Sequence, residues 1–562
     1  MLEKLINTAL GKQPADLLIK NARILNVFTC EIVHGDIAIA DGIIAGIGSY
    51  GAAPRVEDVA GQFVVPGFIN THCHVESSMV TPDVYCAEEL KWGVTTVITD
   101  PHEVANVAGV EGIRFMLDVS ANVPIDYFVQ LPSCVPATLF EHNGAEIKPD
   151  DIAKLINEPG ILGLSEMMNY PGVLGCDAGV MEMIVSARNR IIDGHAPALS
   201  GKDLQAYAAA GIRTDHESTS FEEALEKIRA GLAVLVREGS AAKDLRGIIA
   251  GVVASGLNTD RMAFCTDDKH IADIRRVGTI RHCIRESISL GLEPELAYRM
   301  ASLNAANIYG LKGLGAVAPG YQADMVVLSD LEDVAVSQVY KRGIRVFPGE
   351  FKHRAVSPRF RNSINIAPLK DDSFQLPKPK NGGYPVIHIL ENQIITEKSF
   401  IGADLVSVRL QSNELCKIAV IERHHATGHT GVGLLSGYGL KNGAVATTVG
   451  HDSHNIIVVG TNDADMFYAV KEIQRMQGGY VLIRDKKTLG AIPLPVYGLM
   501  SACEPDKFIT DLEELTRKAR DAGVSRNIDP FITLSFLALP LLPKIRITDM
   551  GVFDVEKFEF IH

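Results

Sequence analysis

No two cysteines in this chain form a CxxC pair, no long basic stretch offsets its acidic balance, and no apolar run is long enough to cross a bilayer. Each lack excludes a class of protein. The nine cysteines (Cys30, Cys73, Cys86, Cys134, Cys176, Cys265, Cys283, Cys416, Cys503) are scattered and odd in number, which argues for a reducing compartment and against a disulfide framework or a thiolate zinc site. A formal net charge of −14 without a basic stretch excludes nucleic-acid binding through phosphate neutralisation. The longest apolar stretch, Phe531 to Leu542, contains Pro540 and is too short to span a membrane. The opening residues, MLEKLINTALGKQPADLLIK, carry no sustained apolar core, so no signal peptide is expected and the cytoplasm is the expected location.

What is present is a globular composition, 47% hydrophobic and 22% charged, in 562 residues, too long for one ordinary domain. Residues from about Asp16 to Val65 read as short strands with turn punctuation. From Gly67 to about Leu311 strands and helices alternate. The strand runs are FVVPGFINTHCH, TTVITDPH, DYFVQLPSC, ILGLSEM, RIIDGHA, GIRTDHE, LAVLVREG and RMAFCTDD. Between them lie segments with apolar residues at helical spacing, among them VEGIRFMLDV, AGVMEMIVSARN and FEEALEKIRAG. Eight such alternations predict an α/β fold, a (β/α)8 barrel of the TIM type. GLGAVAPGYQADMVVLSD and VSQVYKRGIRV then return to short strands, expected to pair with the N-terminal ones in a small composite β-sandwich. Pro368 to Gly383 reads as a linker, and Tyr384 to His562 as a third, α+β unit. The expected boundaries are therefore 1–66, 67–311, 312–367 and 384–562.

Five of the eight strand runs end in groups that bind metal: His72 and His74, Glu166, His195, His216, and Asp267. Barrel strand ends at the C-terminal face share one mouth, where active sites form. His72 and His74 are two apart, so on an extended strand both imidazoles face one side and Cys73 the other. A single histidine after an apolar run is ordinarily a core or surface residue; the ordered set reads as a metal site. Imidazole with carboxylate suits Zn, Fe or Mn, and such a metal lowers the pKa of bound water and supplies hydroxide near neutral pH.

Other polar residues admit two readings. Asp100, His102 and Glu103 follow the second barrel strand; they are a loop with a helix start, or else an outer metal site or substrate contact. Glu217 is an exposed acid at a strand end, or the group that protonates a substrate ring nitrogen. His424, His425, His429, His451, Asp452 and His454 are turn residues, a metal pair in HDSH, or a wall leaning over the barrel mouth. Their glycine-rich flanks allow close backbone approach.

PGFINTHCHVESSM, TTVITDPHEVANV, the later Glu, His, His and Asp, and the framing strands resemble the amidohydrolase superfamily. Within it, ERHHATGHTGVGLLSGYGLKNGAVATTVGHDSHNIIVVG is similar to the C-terminal domain of the bacterial adenine deaminases, so the resemblance covers essentially the whole chain. It implies hydrolytic deamination of adenine to hypoxanthine and ammonia. Two divalent ions per chain are implied, Mn or Fe before Zn. One would be held by His72, His74 and Asp267, the other by His195 and His216, and Glu166 would stand where many amidohydrolases carry a carboxylated lysine bridging both. It also implies a hydroxide attack on C6, proton transfer by Asp267 with Glu166 as the other catalytic group, and a homo-oligomer of two or more copies. The DGHAPA text around His195 departs from the HAGE motif of the adenosine deaminases, which disfavours adenosine. Competing readings are another binuclear amidohydrolase acting on a cyclic amide or N-acyl compound, a non-catalytic scaffold, and a metal-sequestering protein.

Overall fold

The structure is a computed structural model that describes residues 2–121, 123–347, 356–379, 382–391, 393, 395 and 396–561. Nine parallel strands carry the site. They are β1 (Phe68–His74), β2 (Val94–Thr99), β3 (Asp126–Leu131), β4 (Ile161–Met167), β5 (Ile191–Gly194), β6 (Thr214–Asp215), β7 (Ala233–Arg237), β8 (Met262–Cys265) and β9 (Asp267–Asp268). One sheet runs β5-β4-β3-β2-β1-β9 and a second runs β6-β7-β8. All of β1, β2 and β7 is buried, as expected of parallel strands covered on both faces. The two sheets meet at both ends. The Arg213 amide donates to the Ile192 carbonyl at 2.9 Å, and the Thr266 amide to the His72 carbonyl at 3.2 Å.

Some of the helices between these strands begin at side-chain caps. Ser220 accepts from the Glu223 amide at the start of Phe221–Arg229, which has acids in its first turn and bases in its last. Asp177 does the same for Ala178–Ala187.

Beneath the mouth, buried Asp193 of β5 accepts from Gln130 of β3 at 2.8 Å, Thr214 of β6 at 2.7 Å and the Tyr309 hydroxyl at 3.0 Å. This ties three strands together next to His195. Asp215 does similar work one layer up. It accepts the backbone amides of Ala196, Glu217 and Ser218 and is paired with the fully buried Lys227 at 2.7 Å. Lys227 also pairs with Glu223 at 2.8 Å.

The strands flanking this region do pair with one another, as one eight-stranded mixed sheet rather than as two separate modules. Met325–Leu328 runs antiparallel to Phe63–Pro66, which lies parallel to Leu17–Asn26. A helix at Leu2–Ala9, not expected from the sequence, packs Leu5 toward Leu18, Ala38 and Ala45. Residues 348–355 of the expected returning segment lie outside the described residues, as do Lys380 and Asn381 of the expected linker; the rest of that linker holds neither helix nor regular strand before Gly383.

The third unit is built on a second eight-stranded mixed sheet, covered by Asp463–Met476, which buries Met466, Val470 and Ile473 against Ala444, Val458 and Val481. A smaller three-stranded sheet from Ile545–Thr548, Gly551–Asp554 and Glu559–Phe560 completes it. Among the described residues no helix is long and apolar enough to cross a membrane.

Replacing Lys227 with alanine would leave the Asp215 charge buried without its cation. The expected loss is about 3–5 kcal/mol, visible as a lower thermal unfolding midpoint; an unshifted midpoint would show that Asp215 does not depend on it.

Candidate metal centre and its walls

Glu166 is the hub. Its Oε1 lies 3.4 Å from His74 Nε2 and 4.0 Å from His72 Nε2, while its Oε2 lies 2.7 Å from His195 Nδ1 and 3.2 Å from His216 Nε2. Asp267 Oδ1 closes the first side, 3.0 Å from His74 Nε2 and 3.7 Å from His72 Nε2. The structure thus gathers all six residues singled out at the strand ends. His72 and His74 come from β1 and Glu166 from β4; His195 and His216 directly follow β5 and β6, and Asp267 lies on β9.

Local structure aims these groups. The Asp100 carbonyl takes the Nδ1–H of His74 at 2.9 Å, which leaves Nε2 as the free donor atom. Asp267 stands at φ +55, a left-handed conformation that non-glycine residues rarely hold and that the pairing of β9 with Cys73 and His74 enforces. His72 and His216 stack with ring centroids 4.1 Å apart.

Burial alone would raise the Glu166 pKa; hydrogen bonds from His195 and His216 outweigh it and hold the carboxyl well below the usual range. The same balance holds Asp267 low, with His72, His74 and Arg237 against burial. Burial lowers His74 and His216, yet the facing carboxylates lift both well above the ordinary imidazole value.

The buried Nε2 of His72 has no hydrogen-bond partner among the described residues, although two carboxylates face it. Three overlapping groups of donor atoms lie within 4.8 Å of one another here: His72, His74 and Asp267; His72, Glu166 and His216; His195, His216 and Glu217. Converging imidazoles and carboxylates with an orphaned ligand nitrogen fit a divalent metal.

The residues with two readings are placed as follows. His102 Nδ1 approaches Glu166 Oε1 at 3.4 Å and Asp100 Oδ2 at 3.3 Å, so His74, Asp100, His102 and Glu166 form a fourth donor group. Pro101, not Asp100, occupies the cap position of His102–Ser120, though Asp100 Oδ1 does accept the His102 amide at 3.1 Å. Glu217 is not an exposed acid. It is largely buried between His195, His216 and Arg237; burial would raise its pKa, but those cations pull it down to about 2. Arg237 was not singled out in the sequence. It ends β7 and holds Glu217, Asp244 at 3.0 Å and Asp267 Oδ2 at 3.0 Å. A charged residue closing the apolar run LAVLVR at the same end of the parallel strands was the available signal.

The third unit supplies a wall. Buried Glu103, in the first turn of His102–Ser120, is ion-paired with both His451 and His454 of HDSH. Burial is again outweighed, leaving Glu103 well below and His451, despite its own burial, at about 9. His424 and His425 bond to the carbonyls of Ser453 and Asn143, and the His429 ring lies 4.6 Å from that of His142. A cleft of about 840 Å³ is lined by Ser77, Asp268 and His270 together with His451 and Phe536.

Residues 63–346 match the amidohydrolase family and residues 393–559 the adenine deaminase C-terminal domain. Over 565 residues the chain is 43% identical to adenine deaminase from Desulfitobacterium hafniense (strain Y51), covering all of this chain and 98% of that protein. The chain belongs to the adenine deaminase family. Adenine deaminase from Clostridium acetobutylicum is 44% identical over 573 residues, with both chains covered in full. Family membership carries the amidohydrolase fold and divalent-metal use onto this centre, and His451 and His454 of the wall lie in the segment that matches the adenine deaminase C-terminal domain.

Replacing Glu166 with glutamine keeps the side-chain shape but removes the charge facing both histidine pairs. Elemental analysis after dialysis should then find less divalent metal per chain than in the wild type, with an unchanged circular-dichroism spectrum; full metal retention would remove Glu166 from the ligand set.

Proposed function

We propose that this protein hydrolytically deaminates adenine to hypoxanthine and ammonia, the activity named for its relatives. The observation that carries the hydrolytic reading is Glu166, with one oxygen toward His72 and His74 and the other toward His195 and His216. We read the two parallel sheets as one closed (β/α)8 barrel spanning 67–311, flanked by 1–66 and 312–367, with 384–562 as the adenine-deaminase-type unit. The enzyme would act in the cytoplasm as a homo-oligomer, in purine salvage.

His72, His74 and Asp267 would hold one divalent ion and His195 and His216 a second, with Glu166 shared. Bound there, Mn or Fe, or else Zn, lowers the pKa of water and offsets the negative charge that develops as water adds to a ring carbon. The chain's own groups manage the protons. Asp267, held ionised by His72, His74 and Arg237, takes a proton from the water that adds to adenine C6. It returns that proton to the C6 amine nitrogen, whose bond to carbon breaks as ammonia leaves, and the proton remaining on the C6 oxygen passes to ring N1, which gives the carbonyl and N1–H of hypoxanthine. Arg237 fixes Asp267 through Oδ2 and leaves Oδ1 on the histidine side. Glu217, hydrogen-bonded by Arg237, serves to position that arginine.

The direct test is the ultraviolet spectrum of adenine with metal-loaded protein, alongside an ammonia assay. Hypoxanthine and ammonia should appear in equal amounts; a metal-loaded protein that leaves adenine untouched would reject the substrate. Asp267→Asn should lower kcat by about 10²–10⁴ or more while the fold survives. Substantial turnover in a well-folded variant would reject the proton-transfer role.

A further inference from the structure

A second cluster of metal-binding side chains lies apart from the ligands around Glu166. His142, His429 and Asp549 each place one donor atom within 4.8 Å of the others, and none of them is among the six residues gathered at the strand ends. They come from distant stretches of chain. His142 lies in the segment after β3, and His429 in the loop between the strands Leu415–Ile421 and Thr430–Ser436. Asp549 lies in the turn between Ile545–Thr548 and Gly551–Asp554.

Hydrogen bonds hold each group in place. Asp549 is buried, and its Oδ1 accepts the His142 amide at 3.1 Å and the Asn455 side-chain amide at 3.4 Å. Its Oδ2 is thereby turned to His142 Nδ1, which donates to it. Asn455 also donates to the His142 carbonyl at 2.8 Å, and Thr548 to the Phe140 carbonyl at 2.7 Å, so the His142 stretch is fixed to the turn that carries Asp549. The His429 loop is anchored on Glu422, whose carboxylate accepts the Thr427 amide at 2.9 Å and the Thr427 hydroxyl at 2.8 Å. The Glu422 amide donates in turn to the His429 carbonyl at 3.1 Å. These anchors leave the His429 and His142 rings 4.6 Å apart between centroids and inclined at 44°.

Two imidazoles and one carboxylate, with a fourth position left to water, are a donor set that zinc accepts. A His142–Asp549 ion pair by itself gives His429 no part, and two protonated rings this close would repel. A shared cation gives both neutral rings and the carboxylate a common partner. Access suits this: His429 is exposed and the His142 side chain is 34% exposed, while the Asp549 side chain is closed to solvent.

We propose that His142, His429 and Asp549 form a separate divalent-metal site of the zinc class, which clamps the segment after β3 to the third unit. The ion takes the place of the proton between His142 Nδ1 and Asp549 Oδ2, and that proton passes to solvent. The nitrogen–oxygen contact opens to about 3 Å, as two donors at bond lengths near ~2 Å require. An ion held only by the folded chain stabilises it by mass action. The clamped segment is also the one from which Ser133 donates to the Glu166 carbonyl at 2.6 Å, so the site braces a strand that carries the catalytic hub.

The test uses the full-length protein with Zn²⁺ as the probe, dialysed against a fixed micromolar concentration of free ion and counted by elemental analysis. His429→Ala, a substitution at an exposed position, should hold one equivalent fewer than the wild type, that equivalent binding about a hundredfold more weakly or worse. Taking the difference cancels the ions held around Glu166. Zn²⁺ should also raise the thermal unfolding midpoint further in the wild type than in His429→Ala. Asp549→Asn should lose the same equivalent; should it fail to fold, His142→Asn decides in its place. His425→Ala removes a nearby exposed histidine outside the cluster and should keep the full count. Equal zinc in the wild type and His429→Ala, or an equal loss in His425→Ala, would overturn the proposal, the second result marking adventitious binding to surface histidines.

Discussion

A carboxylate in a buried site must be compensated, and Glu166 is compensated twice. Each of its oxygens faces a different pair of histidines. Those histidines arrive on three separate strands of the parallel sheets, so the hub holds only if β1, β4 and the ends of β5 and β6 keep their relative heights. The Asp193 and Asp215 networks fix those heights below and beside the ligands. Without them a ligand set drawn from residues 72 to 267 would be a list of polar side chains rather than a cavity.

The same electrostatic logic explains the third unit. Glu103 carries a charge beside the C-terminal ends of the parallel strands, and the histidines that neutralise it lie about 350 residues downstream. The contact adds a buried ionic pair to the apolar packing between the two parts, such as Phe115 against Tyr497 and Phe140 against Phe553, and ties their orientation to the chemistry of the mouth. The second anchor is the segment after β3, gripped by Thr548, Asp549 and Asn455.

Much of this was legible in the sequence because parallel strands buried on both faces write themselves as apolar runs, and a polar residue at the end of such a run stands out. All eight expected strand runs of the alternating region hold strands, and the six ligand candidates meet around Glu166. What escaped depends on distance along the chain. Arg237 looks like any residue closing a strand until Asp267, Glu217 and Asp244 surround it. Glu217 reads as an exposed acid because nothing local shows that this arginine covers it. Pairing of HDSH with Glu103, and the meeting of His142, His429 and Asp549, come from tertiary contacts that no periodicity encodes. The Leu2–Ala9 helix was missed because its segment is short and only its packing on the flanking sheet makes it stable.

The flanking sheet has one more consequence, for the order in which the chain acquires its structure. Phe63–Pro66 pairs on one side with Leu17–Asn26, which is made before it, and on the other with Met325–Leu328, made about 260 residues later. During synthesis that edge emerges hydrogen-bonded on one side only, and stays so while residues 67–311 are translated. Non-local pairing of this kind is slow and leaves an exposed strand edge open to wrong partners. The N-terminal strands therefore wait on a distant segment, and the sheet that frames the parallel strands can close only after residues 67–311 have been made.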